Sequence, residues 1–207
     1  WEFNDVSDRF LYFFTSGSTG TPKRIKKQFK MLAVEVAFHS QNQKHLIEQN
    51  PVSISSVAPY HMYGLLWRFF FPLANNIIAD LDIVFTPEEL QHKQSIYDKV
   101  LFATTPSFLD GITRYQNQYT FKNNCIGIYS SGSLLDTKTS ANAYKMFTVS
   151  PFEIFGSTET GGVASRQQIN GPEWTIFPPV NVTLTENNEL LIESDFSCAN
   201  PYLMSDI

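Results

Sequence analysis

The chain has 207 residues, 43% hydrophobic and 17% charged, with 18 phenylalanines and a net charge of −5. That composition describes an ordered globular protein with one substantial core, and the acidic balance excludes nucleic acid as the main partner. The most apolar stretch, residues 65–85, is broken by Arg68, Pro72, Asn75, Asn76, Asp80 and Asp82, so no membrane span is expected.

Short apolar runs alternate with helical stretches, which predicts an α/β fold: a mostly parallel sheet flanked by helices, then a short β-rich C-terminal part. The apolar run 10–14 predicts a buried strand. Residues 15–23, Thr-Ser-Gly-Ser-Thr-Gly-Thr-Pro-Lys, then form a loop, and 29–49 a helix with Phe29, Leu32, Ala33 and Val36 on one face. Strands are expected at 52–57, 83–85, 100–104, 125–129 and 152–155. Helices are expected at 64–75, from Pro87 with Glu88 and Glu89 in its first turn, from Pro106, and at 136–147. The pattern after Gly162 turns to short strands at 180–185 and 189–193, joined by a turn at Asn187-Asn188. The expected division is an α/β part over about 1–160 and a β-rich part over about 162–207.

Three loops rich in glycine and hydroxyls follow predicted strands, and in doubly wound sheets such loops meet at one crevice. In the first, Gly17 and Gly20 let the backbone approach phosphate oxygens where a Cβ would collide. Ser16, Ser18, Thr19 and Thr21 supply short donors, and Lys23 a point charge. A polar surface turn is the plain alternative. The basic residues beyond Lys23 (Arg24, Lys26, Lys27 and Lys30) are expected on a solvated strand edge or helix start. The second loop is Ser131-Gly132-Ser133. The third, Phe155-Gly156-Ser157-Thr158-Glu159, offers an aromatic ring to a base, a hydroxyl to a phosphate, and a carboxylate to Mg²⁺. Alone it would equally suit a helix cap.

The first loop lacks the Gly-Lys-Ser/Thr ending of P-loop NTPases. It resembles instead the phosphate loop of the adenylate-forming (AMP-binding) superfamily, which holds acyl-CoA and aryl-CoA ligases, adenylation domains and luciferases. Every position of that loop matches, with Arg24 where a glycine often stands. Phe155–Glu159 matches the family's aromatic-Gly-x-Thr-Glu, and Pro59-Tyr60-His61-Met62-Tyr63-Gly64 its Pro-x-x-His-x-x-Gly segment. Ser131-Gly132-Ser133 stands in place of a Gly-Gly-Ala-type loop. Asp206 stands where the family's ribose-binding Asp lies, with Met204 and Ser205 replacing Thr and Gly.

The resemblance implies the large nucleotide-binding domain of a ligase. ATP would be bound by Thr15, Ser16, Gly17, Ser18, Thr19, Gly20, Lys23, Ser131, Gly132, Ser133, Phe155, Gly156, Ser157, Thr158 and Asp206. Glu159 would hold Mg²⁺, and Lys23, His61, Thr158 and Glu159 would serve catalysis. The implied reaction activates a carboxylic acid to acyl-AMP with release of pyrophosphate. Coenzyme A or a carrier-protein phosphopantetheine would then accept the acyl group. The Asp that amino-acid-activating relatives place near His61 is missing, which turns the expected substrate to a fatty, aryl or other non-amino acid.

A small C-terminal domain with a catalytic lysine, and most of a segment before the phosphate loop, are expected in the parent protein rather than here. By analogy with deleted oxyanion-hole donors, losing one such charged group lowers the rate by roughly 10²–10³-fold. Two cysteines without metal or redox spacing, Cys125 and Cys198, and no signal peptide lead to an expected cytoplasmic setting. Two rival readings are a module of the same fold that binds nucleotide without catalysis, and a phosphotransferase with an unrelated phosphate loop.

Overall fold

The structure, a computed structural model, describes residues 8–16, 22–115 and 118–204, apart from the side chain of Ser16. Its centre is a seven-stranded sheet in the order β4-β3-β5-β6-β7-β8-β9. The strands are β3 (Val52–Ser55), β4 (Ile78–Ile83), β5 (Val100–Thr104), β6 (Cys125–Ser130), β7 (Phe152–Ser157), β8 (Gly161–Arg166) and β9 (Thr175–Ile176). The first five run parallel, while β8 and β9 add antiparallel to one edge. Strand β5 is buried throughout, as a continuous apolar run sandwiched between helical layers should be.

One layer consists of α5 (Pro87–Ile96), α6 (Pro106–Arg114) and α7 (Thr137–Phe147). Each begins at a side chain that caps a free backbone N–H: Thr86 with Glu89 in a reciprocal capping box, Thr105, and Asp136. Their apolar faces close over Ile54, Val84, Phe102 and Ile128 to form an all-apolar cluster with Leu90, Leu109 and Phe147.

The second cluster is larger and draws on more elements. It joins α1 (Phe29–Asn42), the helical run of α3 (Met62–Leu65) and α4 (Phe71–Ala74), the hairpin of β1 (Phe10–Ser16) and β2 (Pro22–Gln28), and a small antiparallel sheet. That sheet comprises β10 (Val180–Leu184), β11 (Leu190–Ser194) and β12 (Tyr202–Met204). A π-turn, Leu66–Phe70, joins α3 to α4 and buries Trp67 and Arg68.

Four expectations change. The run 10–14 is not a buried strand: it pairs antiparallel with β2 in a two-stranded hairpin, leaving Phe10, Tyr12 and Phe14 exposed and Phe13 buried. Its alternation is that of a ribbon with one covered face. The helix expected over 29–49 stops at Asn42, and a short α2 (Lys44–Ile47) follows. The fourth strand lies at Ile78–Ile83 rather than 83–85; its Asp80 disfavours the strand pattern but is held by Lys93 and Tyr97 at 2.6 and 2.8 Å. Strand β8, not among the expected strands, is a hairpin partner of β7 whose Gly-Gly start hides its β pattern.

Candidate active site

Strand periodicity explains how the basic segment is used. Successive side chains of β2 point to opposite faces. Arg24 and Lys26 lie over the exposed rings of Tyr12 and Phe10 at 5.1 and 3.7 Å, an arrangement that suits a cation above an aromatic face. Lys23, Ile25 and Lys27 take the other face, toward the β7–β8 turn. Lys23 Nζ bonds Glu159 Oε1 at 2.7 Å, and Lys27, fully buried, donates to the Thr158 carbonyl at 3.2 Å. The expectation of a solvated edge therefore fails at Lys27, because the hairpin folds that face onto the turn.

The turn is held by its own hydroxyls. The Ser157 amide donates to Thr160 Oγ1 at 2.9 Å and the Thr160 amide to Ser157 Oγ at 3.1 Å. The Cys198 amide donates to the Glu159 carbonyl at 2.8 Å, tying the turn to the segment after β11. Thr158 and Glu159 are left at the tip. Burial pushes the Glu159 carboxyl up, but the Lys23 ammonium outweighs it and holds the group below the ordinary carboxylate range. Lys23 is correspondingly raised, mainly by its bond to Glu159.

Behind the turn lie two more ionisable side chains that are buried, Glu35 and Lys27. Glu35 on α1 accepts from the Gly162 amide at 2.8 Å, and its carboxylate stands against Gly161, which has φ +71°. A Cβ on Gly161 would come within 2.7 Å of Glu35 Oε2, so this position needs glycine both for its left-handed backbone and for the carboxylate beside it. Burial drives the Lys27 ammonium down, opposed by the Glu35 charge. Burial drives Glu35 up, opposed by Lys27. His39, one helical turn on, has Nε2 at 3.9 Å from Glu35 Oε1 and is pushed down to about 3 by burial, so it is neutral.

Glu35, Thr158, Gly161 and Gly162 border a cleft of about 440 Å³ at the carboxyl ends of the parallel strands. Its walls include Glu35, His61, Trp67, Ser131, Gly132 and Thr158, with Val57, Met62, Leu66 and Ile154 supplying apolar surface. His61 is exposed at the start of α3. Three residues on, Gly64 packs so closely under the Ala58 carbonyl that any Cβ would collide with it. Ser131 donates to the Ile154 carbonyl at 2.8 Å, joining the ends of β6 and β7. Trp67 stacks on Tyr129 at 3.9 Å and closes the apolar end.

Of the residues expected from sequence, His61, Ser131, Gly132, Gly156, Ser157 and Thr158 line this cleft. Lys23 and Glu159 pair at the adjoining turn. Thr15 sits beside Lys23 in the hairpin register. Ser133 is exposed and does not contribute to the cleft wall; Phe155 is half-buried against Trp174, 5.8 Å between ring centres, and does not either. Gly17, Ser18, Thr19, Gly20 and Asp206 lie outside the described residues, as does the side chain of Ser16. Lys27, Glu35 and Thr105 were not singled out by sequence. Glu35 and His39 did leave a signal: with Leu32 and Val36 they complete an i, i+3, i+4, i+7 stripe on α1.

Among the described residues no group of three or more His, Cys, Asp or Glu could hold a metal by itself. A single ionised Glu159 suits Mg²⁺ that keeps several waters and shares its remaining ligands with substrate phosphates. No helix among the described residues is long and apolar enough to cross a membrane.

The arrangement of sheet, hairpin and cleft is a fold shared with solved structures. Solved structures with this fold include a malonyl-CoA ligase with methylmalonyl-CoA and AMP bound (TM-score 0.76, 16% identity, 90% of this chain and 44% of that one). They also include ATP-bound MatB of Rhodopseudomonas palustris (0.78, 16%, 92% and 41%) and o-succinylbenzoate coenzyme A synthetase of Bacillus subtilis with ATP and magnesium (0.76, 13%, 94% and 42%). The AMP-binding enzyme family model matches residues 3–195, and the chain belongs to that family. A curated relative, 4-coumarate–CoA ligase of Cereibacter sphaeroides, is 27% identical over 169 residues, 79% of this chain. The chain spans 39% of that relative's length.

Proposed function

We propose that this chain is the nucleotide-binding core of an AMP-forming acid–thiol ligase that activates a non-amino carboxylic acid. The observation that carries this reading is the meeting of Lys23 with Glu159, 136 positions apart, beside a cleft lined by Thr158 and His61. Family membership supports it, as do the coenzyme A ligase names of the relatives.

In the proposed reaction a carboxylate oxygen of the acid attacks the α-phosphorus of ATP. The bond to the bridging oxygen breaks, and pyrophosphate leaves with its electron pair. A thiol, that of coenzyme A or a carrier-protein phosphopantetheine, then adds through sulfur to the acyl carbonyl and AMP departs. The nucleophile in the first step is the substrate itself, so the protein contributes positioning and charge neutralisation. Thr158 donates its hydroxyl to the α-phosphate. Lys23, now paired with Glu159, turns to phosphate oxygens, and the freed carboxylate becomes available to Mg²⁺, which when bound neutralises phosphate charge. His61 borders the carboxylate end of the acid. Asp206 receives the ribose hydroxyls, and Ser131 and Gly132 bound the space for adenine and acyl group. Catalysis also calls on a C-terminal lysine domain in the parent.

The test is product analysis on the full-length parent protein with Mg·ATP and a panel of carboxylic acids. Acid-dependent AMP and pyrophosphate, strongly reduced by Glu159→Ala, is the expected result. ADP as product would assign a phosphotransferase, and nucleotide binding without turnover would assign a non-catalytic module.

A further inference from the structure

Two cavities lie end to end in the space between α1 and the central sheet. The first is the cleft of about 440 Å³ at the carboxyl ends of the strands, lined by Glu35 of α1, Ile154 of β7 and Ser131 after β6. One turn along α1, and two residues back along β7 and β6, His39, Phe152 and Tyr129 line a second cavity of about 570 Å³. Residues four apart on a helix, or two apart on a strand, share a face. All three elements therefore lead from one cavity to the other in the same direction.

A pair of rings stands between them. Trp67, from the π-turn, lines the cleft, and Tyr129, from β6, lines the second cavity. The rings stack, with 3.9 Å between centres and 22° between planes. Trp67 is braced further by His39 at 4.8 Å and Phe71 at 4.9 Å, and only 3% of it is exposed. A ring held by three close-packed neighbours is a fixed wall. Resting on the ligase reading above, we propose that the Trp67–Tyr129 stack is the stop that sets how long an acid the cleft accepts, and that the substrate class is a short-chain acid.

The length follows from the helical run. Trp67 stands six positions after His61, which borders the carboxylate end, and that is about 9 Å along a helical path. An extended chain advances about 1.2 Å per bond, so about seven bonds fill the distance. Hexanoate has that reach, whereas decanoate would have to drive its tail through the stack. The walls near the stop, Met62, Leu66 and Ile154, are apolar and offer a tail burial without a hydrogen bond.

The experiment measures acid-dependent pyrophosphate release by the full-length protein across the straight-chain acids from acetate to decanoate, with a calorimetric Kd for each acid in parallel. The wild type is expected to improve up to hexanoate and then fall off, using decanoate less well by about 10-fold or more, the discrimination that one badly fitting methylene brings. Trp67→Ala opens the cleft toward the second cavity. Each methylene then admitted should gain about fourfold, so the decanoate-to-hexanoate ratio should rise by about 100-fold. Trp67→Phe, which keeps a ring against Tyr129, should move it far less. A purely structural role for Trp67 would lower the use of all acids alike and leave the ratio where it was. The ratio is taken within one preparation, so a partly folded variant still gives an answer. Trp67→Leu, with a smaller shift in the same direction, serves if Trp67→Ala does not fold. Undiminished use of decanoate by the wild type, or a ratio that loss of Trp67 leaves unmoved, would overturn the proposal. If no acid releases pyrophosphate, the ligase reading fails on its own. The Kd values then decide, and the same decanoate-to-hexanoate ratio in wild type and variant, or no binding of any acid, would overturn the stop as well.

Discussion

The two faces of the central sheet bury their residues by different rules. Under α5, α6 and α7 the buried charge is matched directly, Lys93 on Asp80 at 2.6 Å, beside an apolar cluster that runs from Ile54 and Val84 to Phe102 and Phe147, with the helices capped by side chains at their starts. Under α1 and the hairpin the cluster is also apolar at its centre, but Lys27, Glu35, His39 and Arg68 are buried with it. Burying charge costs free energy that an apolar residue of the same shape would not. The second face accepts that cost where the carboxyl ends of the strands, the β7–β8 turn and the cleft meet. One face stabilises the fold, and the other spends part of that stability on placing Thr158, Glu159 and the cleft wall.

The largest expected effects test that contrast on both sides. Phe102→Ala or Phe147→Ala should cost about 3–5 kcal/mol in urea unfolding, because each leaves a cavity in a closed apolar cluster. Lys27→Met should also destabilise, since it removes the bond to the Thr158 carbonyl and leaves the buried Glu35 without the cation that opposes its burial shift. The Lys27→Met, Glu35→Leu double variant should recover much of that loss, whereas no second substitution of a neighbour should rescue Phe147→Ala. A double variant as unstable as the sum of its parts would mean that the pair is not coupled.

A pH titration of stability separates the faces further. His39 has its imidazole pushed down to about 3 by burial, against an ordinary value of 6.5. The unfolded chain therefore binds a proton first, and stability should fall as pH drops from 6.5 toward 3, by roughly 1.4 kcal/mol per pH unit. Glu35, pushed up by burial, acts with the opposite sign, binding its proton more readily when folded and offsetting part of the loss. The difference between wild type and His39→Gln isolates the imidazole, and the variant should show the shallower acid limb.

Smaller effects belong to the turn. Gly161→Ala should destabilise by about 1–3 kcal/mol through its left-handed backbone and the adjacent Glu35 carboxylate. Lys23→Ala should change stability by less than about 1 kcal/mol, because the Lys23 side chain is 58% exposed, yet it should weaken nucleotide binding clearly. That split between stability and binding is what a ligand-facing pair predicts.

The apolar face was the more legible in sequence. Continuous runs such as 100–104 and the Thr86-Pro87-Glu88-Glu89 start follow local rules that tertiary context does not overturn. Ser131-Gly132 and Gly156-Ser157-Thr158 were legible from their glycines and hydroxyls and line the cleft, while residues 17–20 of the first loop lie outside the described residues. Lys27, Glu35 and His39 were not, since a buried charge breaks the pattern by which buried positions are recognised. Their places depend on two elements meeting: the Lys23-Ile25-Lys27 face of β2 and the Leu32-Glu35-Val36-His39 stripe of α1 each look ordinary until the β7–β8 turn is set between them. Strand β8 was hidden for the same reason, its glycines being required by Glu35 rather than by the strand.

The most direct test of the central claim is calorimetric titration of this protein with Mg·ATP and with Mg·GTP, for the wild type and Glu159→Ala. Selective ATP binding that is lost or sharply weakened in Glu159→Ala, with unfolding stability nearly unchanged, is the predicted result. Equal affinity for the two nucleotides, or ATP binding indifferent to Glu159, would contradict the assignment of this face as an adenine-nucleotide site.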